Sequence, residues 1–212
     1  MFSSPRQRLY PIVDPQVCQR YGRDPLAVVS ACLRGGASVL QLRVKSGSSA
    51  AFLELADAVV NAARAHAATV IVNDRADIAR TAGAGGVHVG QEDLPPDAVR
   101  TILGSGWIGL STHDQRQIDE ALASAADYVA VGPIYQTGTK DTGYSARGLA
   151  FVREAAGRGK PVVAIGGITL ERAPEVIAAG ASAVAVITDL FVTNDVEARV
   201  REYLSALDVP SA

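Results

Sequence analysis

The stretch Thr69-Val70-Ile71-Val72 is a short apolar run that breaks off into Asn73-Asp74-Arg75. β-Branched side chains favour a pleated backbone, and a run without polar alternation is what a strand covered on both faces requires. The same pattern recurs along the chain: Leu9–Val13, Ser38–Leu42, Gly86–Val89, Trp107–Leu110, Tyr128–Val131, Pro161–Ile165 and Ala183–Ile187 are the other runs. Between them lie segments with helical spacing. Phe52, Leu55, Ala56 and Val59 fall at i, i+3, i+4 and i+7, which gathers them on one helix face. Asp24 stands before Pro25 as a capping carboxylate before a proline suited to the first helical position. Gly180 follows Ala178-Ala179 where a helix closes in a left-handed residue.

Alternating strand and helix units imply a parallel sheet, either open and doubly wound or closed into an eightfold barrel. Eight units favour the barrel. The 212 residues leave about 26 for each unit, enough for a strand, a helix and two short loops, although a typical barrel has ~250. No linker, low-complexity tract or change in composition divides the chain. The expected fold is α/β, a single (β/α)8 TIM barrel over residues 1–212.

Hydrophobic residues make up 48% and charged residues 20%, which excludes a disordered chain, a coiled coil and a disulfide scaffold. Twenty Lys+Arg against 22 Asp+Glu leave a net charge of -2, so there is no general pull toward nucleic acid or membrane. Any anionic ligand must be held by a local cluster. Cys18 and Cys32 lack a CxxC spacing and are expected as free, reduced thiols. No stretch approaches the ~18–20 apolar residues of a membrane span, and Met1 to Arg6 lacks the apolar core of a signal peptide. The cytoplasm is the expected location.

In such a barrel the active site forms at the C-terminal ends of the strands, and the polar residues collect there. Gln41-Leu42-Arg43-Val44-Lys45 ends the second run, Asn73-Asp74-Arg75 the third, and His88-Val89-Gly90-Gln91-Glu92-Asp93 the fourth. Ser111-Thr112-His113 ends the fifth, and the sixth opens a loop from Gly132 to Lys140. Gly166-Gly167 ends the seventh and Ile187-Thr188 the eighth.

Arg43 and Lys45 are two apart and project from one side of a strand, where an anion between them would offset their repulsion. Asp74 and Asp93 follow neighbouring strands about 4.8 Å apart. Two converging carboxylates suit Mg2+, which takes one or two of them and completes its shell with water and phosphate oxygens. Each is equally suited to capping the helix that follows. Gly166-Gly167 and Ile187-Thr188 stand where barrels often bind a phosphate through backbone N–H groups, and Thr137, Thr139 and Lys140 add hydroxyls and charge. The barrel mouth therefore reads as two anionic sites, one with a metal. His66 reads as an exposed helix residue, His88 as a satisfied core histidine, and His113 as a helix cap or pocket edge. No Ser–His–Asp or Cys–His arrangement is legible, so no covalent nucleophile is evident.

These blocks in their order resemble the thiamine phosphate synthase family: Leu9–Asp14, Gln41–Lys45, Val72–Arg75, Gly86–Leu94, Gly109–His113, Val131–Lys140, Ala164–Ile168 and Val184–Thr188. The resemblance implies a (β/α)8 barrel using Mg2+. Its substrates are hydroxymethylpyrimidine diphosphate and hydroxyethylthiazole phosphate, and it releases diphosphate. Carried over by position, it assigns Gln41, Leu42, Arg43, Val44, Lys45 and Asn73 to the pyrimidine diphosphate and Asp74 and Asp93 to the metal. Ser111 falls to the pyrimidine and Lys140 to its diphosphate. Thr137, Gly138, Thr139, Gly167, Ile187 and Thr188 fall to the thiazole phosphate. Arg43, Lys45, Ser111 and Lys140 are the implied catalytic residues of a dissociative substitution that needs no protein nucleophile.

Val44, where the family usually has Glu, and Thr188, where it usually has Ser, depart from the pattern, and Gln136 is a less common loop residue. A related thiazole tautomerase carries a histidine where this chain has Pro133 and tends to lose the metal carboxylates. A catalytically silent phosphate-binding barrel is the alternative of another class, and a phospho-sugar epimerase lacks its metal-binding histidines here. The implied partners are small phosphorylated molecules, without nucleic acid or membrane, and a homo-oligomer is compatible. Gly138 and Gly143 suit a mobile lid over Thr137–Tyr144.

Overall fold

The apolar runs become the eight strands of a closed parallel barrel in the computed structural model, which describes residues 2, 4–138 and 143–208. They are β1 (Leu9–Val13), β2 (Val39–Leu42), β3 (Thr69–Asn73), β4 (Gly86–Val89), β5 (Trp107–Thr112), β6 (Tyr128–Val131), β7 (Val162–Ile165) and β8 (Ala183–Val186). Each pairs with the next, and β8 returns to β1 with Tyr10 opposite Ala185. β3 and β5 run further than their apolar cores, which places Asn73 and Ser111 within strands.

Around the barrel lie α1 (Pro15–Arg20), α2 (Pro25–Arg34), α3 (Ser49–Arg64), α4 (Ala76–Thr81), α5 (Pro96–Leu103), α6 (Gln115–Ala123), α7 (Gly148–Ala155), α8 (Ala173–Ala178) and α9 (Val196–Leu207). Asp24 caps α2 by accepting from Ala27 N at 2.8 Å. Gly180, at φ +107°, follows the end of α8. Phe52, Ala56 and Val59 of α3 are buried. A cap contributes about 1 kcal/mol, whereas one fully buried Val or Leu contributes about 1.5–3 kcal/mol. Burial against the sheet is therefore the larger force holding the helical ring.

Alternate strand residues point outward and inward. Outward Leu40, Leu42, Val70, Val72, Val87 and Val89 pack under the helices. Inward Tyr10, Ile12, Val39, Ile71, Tyr128, Ala130, Val163, Ala183 and Ala185 form a second cluster in the barrel's interior. Gly109 of β5 makes room there: a Cβ on it would lie 2.1 Å from Tyr128 Cζ and 2.4 Å from His88 Nδ1. Cys18 and Cys32 are buried free thiols, and burial pushes them up to about 11 and about 12, which keeps them protonated and unreactive. No helix among the described residues is long and apolar enough to cross a membrane.

Candidate active site at the C-terminal ends of the strands

A cavity of about 440 Å³ opens at this end of the barrel, within the usual size range of a small-molecule site. Gln41, Arg43, Asn73 and Ser111 border one side. Thr137, Gly138, Gly167, Ile187 and Thr188 border the other. One space thus brings together most of the residues that the sequence marked as two separate clusters.

Leu42 and Val44 do not border it. Leu42 is fully buried in the layer between barrel and helices, and Val44 packs against the same layer. The period-two alternation of a strand turns both side chains away from the mouth, so either can meet a ligand there only through its backbone. Thr139 and Lys140, with residues 141 and 142 of the Thr137–Tyr144 segment read as a lid, lie outside the described residues.

The two cations that follow β2 are each ion-paired. Arg43 Nη1 pairs with Asp14 Oδ2, and Lys45 Nζ with Asp74 Oδ2 at 2.5 Å. Protein carboxylates offset the charge of each. Nothing in the sequence marks Asp14 as a partner of Arg43, 29 residues away. It sits at the end of β1, is 2% exposed, and its other oxygen accepts from Gln16 N at 2.9 Å and Val17 N at 3.2 Å. It thus caps α1 while fixing the Arg43 guanidinium.

Asp74 and Asp93 do not act as helix caps. Arg75 and Pro95 hold the cap positions of α4 and α5, neither with a side-chain cap bond. Asp74 adopts φ +64°, a left-handed conformation that costs a residue with a Cβ about 1–2 kcal/mol. Strain of this kind persists where surrounding structure imposes it, and it clusters at functional sites. Asp93 Oδ2 accepts from Gly90 N at 2.7 Å, which curls the loop after β4 back onto itself. Both carboxylates, with Lys45, stand beyond the residues that border the cavity.

Asn73 is buried at the cavity edge, and its Nδ2 has no hydrogen-bond partner among the described residues. A buried donor left unpaired costs about 1–3 kcal/mol, and a ligand acceptor in the cavity would remove that cost. Ser111 Oγ lies 2.8 Å from His88 Nε2, whose Nδ1 lies 3.0 Å from Tyr128 OH. His88 is thus hydrogen-bonded at both nitrogens, as a satisfied core residue should be, yet it also borders the cavity. His113 does so too: its Nδ1 meets Gly132 O at 2.7 Å and its ring stacks on Tyr144 at 4.6 Å. Asp114, not His113, caps α6. His66 lies in the turn just past α3 rather than within it, and is exposed.

On the far side, Gly166 (φ +101°) and Gly167 (φ +63°) let the chain pass closely under the loop after β6. A Cβ on Gly166 would lie 2.7 Å from Pro133 Cα, and one on Gly167 would lie 2.6 Å from Gln136 O. Ile134 N donates to Ile165 O at 2.9 Å and Tyr135 N to Gly166 O at 3.0 Å, which fixes the loop's root to β7. After β8 the chain turns into a short 3-10 helix, Thr188–Phe191. It is anchored by half-buried Asp189, which accepts from Arg199 Nη2 at 2.7 Å and Tyr203 OH at 2.5 Å. Arg172, unmarked in the sequence, borders the cavity beside these groups, stacked over Tyr135 at 4.5 Å and donating to Gly167 O at 2.8 Å.

A closed parallel barrel with a cavity at the carboxyl ends of its strands is the architecture of the (β/α)8 enzymes. Residues 9–190 match the family described as thiamine monophosphate synthase. A thiamine-phosphate synthase of Mycobacterium avium is 46% identical over 192 residues, covering 85% of this chain and 84% of the relative. One of Shouchella clausii is 40% identical over 206 residues, covering 96% and 98%. The solved structure of thiamine phosphate pyrophosphorylase from Pyrococcus furiosus superposes with a TM-score of 0.87 at 29% identity, covering 96% of each chain. The chain belongs to the thiamine monophosphate synthase family, and with it is a transferase of thiamine biosynthesis.

Proposed function

We propose that the protein joins 4-amino-2-methyl-5-hydroxymethylpyrimidine diphosphate to hydroxyethylthiazole phosphate, giving thiamine phosphate and diphosphate. The observation that carries this reading is a shared cavity bordered on one side by Gln41, Arg43, Asn73 and Ser111 and on the other by Gly167, Ile187 and Thr188. A reaction between two phosphorylated molecules needs two polar walls facing one space, so that the reacting atoms are held together.

The carbon–oxygen bond to diphosphate breaks, the aminopyrimidine ring carries the developing positive charge, and the thiazole nitrogen forms the new bond to carbon. Arg43 and Lys45 offset charge on the departing diphosphate, Asn73 Nδ2 donates to it, and Ser111 holds the pyrimidine. Lys140 is assigned to the same diphosphate by its place in the sequence. The thiazole phosphate meets Thr137, Gly138, Thr139 and the backbone N–H groups of Gly167, Ile187 and Thr188, with Arg172 nearby as a further cation. Asp74 and Asp93 would hold Mg2+, which supplies, when bound, neutralisation of phosphate charge. The donor set fits: Lys45 Nζ engages one oxygen of Asp74 and Gly90 N one oxygen of Asp93, and Mg2+ takes only one or two carboxylates.

The tautomerase alternative needs a proton-transferring group where this chain places Pro133, which borders the cavity and offers none. The test supplies both substrates and Mg2+ to the native chain and to Asp74→Ala with Asp93→Ala. Thiamine phosphate from the native chain, reduced at least 100-fold in the folded double variant, supports the reading. Isomerisation of a thiazole carboxylate phosphate without condensation would move the assignment to the tautomerase. Binding of both phosphates with no turnover would leave a silent barrel.

A further inference from the structure

Five polar side chains form an unbroken line through the otherwise apolar barrel interior. Gln41 Nε2 donates to Tyr10 OH at 3.1 Å, and Tyr10 OH lies 3.0 Å from Tyr128 OH. Tyr128 OH lies 3.0 Å from His88 Nδ1, and His88 Nε2 lies 2.8 Å from Ser111 Oγ. Both ends of the line, Gln41 and Ser111, border the cavity, as do Tyr10 and His88 within it. Gly109 keeps the middle link open, since any Cβ there would stand 2.3 Å from Tyr128 OH.

The line has a direction. An amide nitrogen has only hydrogens to offer and cannot accept, so Tyr10 oxygen is the acceptor from Gln41. A phenol oxygen can accept twice, so the direction is set by the Tyr10 proton: of its two hydrogen-bond partners only Tyr128 oxygen can accept it, which leaves the Tyr128 proton for His88 Nδ1. A neutral imidazole that accepts at Nδ1 carries its hydrogen on Nε2. That hydrogen faces Ser111 Oγ, which accepts it and keeps its own hydrogen to give. Burial pushes both phenols well above the ordinary tyrosine range, so each retains its proton at neutral pH.

We propose that Tyr10 and Tyr128 are positioning residues that act through His88, fixing Ser111 as a hydrogen-bond donor into the cavity and so selecting a ring nitrogen acceptor on the pyrimidine substrate. The donor direction follows from the line itself; the identity of the acceptor rests on the function proposed above. Ser111 alone could rotate to donate or accept. With its oxygen already engaged by Nε2–H, a ligand that offers a hydrogen at that point meets a second donor and is disfavoured.

The test reads the line without any substrate. Two-bond proton–nitrogen NMR correlation distinguishes the two imidazole tautomers, and His66 and His113 are the chain's only other histidines, so substitution assigns the signals. His88 in the native, ligand-free protein is expected as the Nε2–H tautomer. Tyr128→Phe keeps the ring and removes the hydroxyl facing Nδ1, and is expected to mix the tautomers. Tyr10→Phe leaves Tyr128 beside Nδ1 but removes the donor that orients its hydroxyl, and is expected to shift the tautomers in the same direction, less than Tyr128→Phe does. In turnover, Tyr128→Phe should raise KM for the pyrimidine diphosphate about 3- to 10-fold, the range of one net hydrogen bond, and leave KM for the thiazole phosphate unchanged. A native Nδ1–H tautomer would mean that the line runs the other way and would overturn the proposal. So would a Tyr128→Phe variant with an unchanged tautomer and unchanged pyrimidine KM. Neither NMR result depends on the reaction being the one proposed.

Discussion

Asn73 and Gly109 show two opposite ways in which one residue serves the site. Asn73 carries a buried amide nitrogen with no partner among the described residues. Removing an unsatisfied donor relieves a desolvation cost instead of breaking a bond. Asn73→Ala should therefore leave the unfolding midpoint unchanged or raised, while kcat/KM for the pyrimidine diphosphate falls at least about tenfold. A denaturant titration beside steady-state kinetics reads both; a large loss of stability would contradict the account. Gly109 contributes an absence. Its missing Cβ is the space that Tyr128 and His88 occupy, so Gly109→Ala should destabilise by at least about 1–3 kcal/mol, the usual range for overpacking. A urea midpoint equal to that of the native chain would mean the interior yields where the structure has it tightly packed.

At the scale of elements, the eight strands were legible because strands covered on both faces read as apolar runs. Three of them begin and end where the runs do, as in Leu9–Val13, and the others differ by a residue or two. What lies between strands was less legible. Arg43 could be placed at a strand end, but its pairing with Asp14 depends on β1 and β2 standing in register, Val13 opposite Leu42. Tyr128 reads as one more large residue in a buried run until β5 and β6 pair and turn it toward His88. The meeting of β7 with the loop after β6 is of the same kind. Gly167 has room for no Cβ beside Gln136 O and sits at φ +63°. Gly167→Ala should lift the root of that loop. KM for the thiazole phosphate is expected to rise several-fold, with the pyrimidine diphosphate KM little changed. Equal rises in both would show that the two walls move as one.

For the whole molecule, the buried phenols predict how stability depends on pH. Tyr10 and Tyr128 are held protonated in the folded protein by burial, well above the value near 10 they have in the unfolded chain. A group whose folded value is raised contributes stability that is complete below the unfolded value and is lost as pH rises beyond it. The urea midpoint should therefore show no loss from these phenols below about pH 9 and fall progressively above about pH 10, with a shallower fall in Tyr128→Phe. A midpoint flat to pH 12 would show that the phenols ionise in place. The barrel also explains why one cavity is enough for the proposed chemistry. Strand ends from β2, β3 and β5 present one set of polar groups and those after β6, β7 and β8 another, across a space of about 440 Å³.

That arrangement is tested most directly by following thiamine phosphate and diphosphate together from the native chain supplied with both substrates and Mg2+. The account predicts the two products in equal amounts, and neither when one substrate is withheld. Diphosphate released without thiamine phosphate, or no product from a folded chain that binds both substrates, would contradict it.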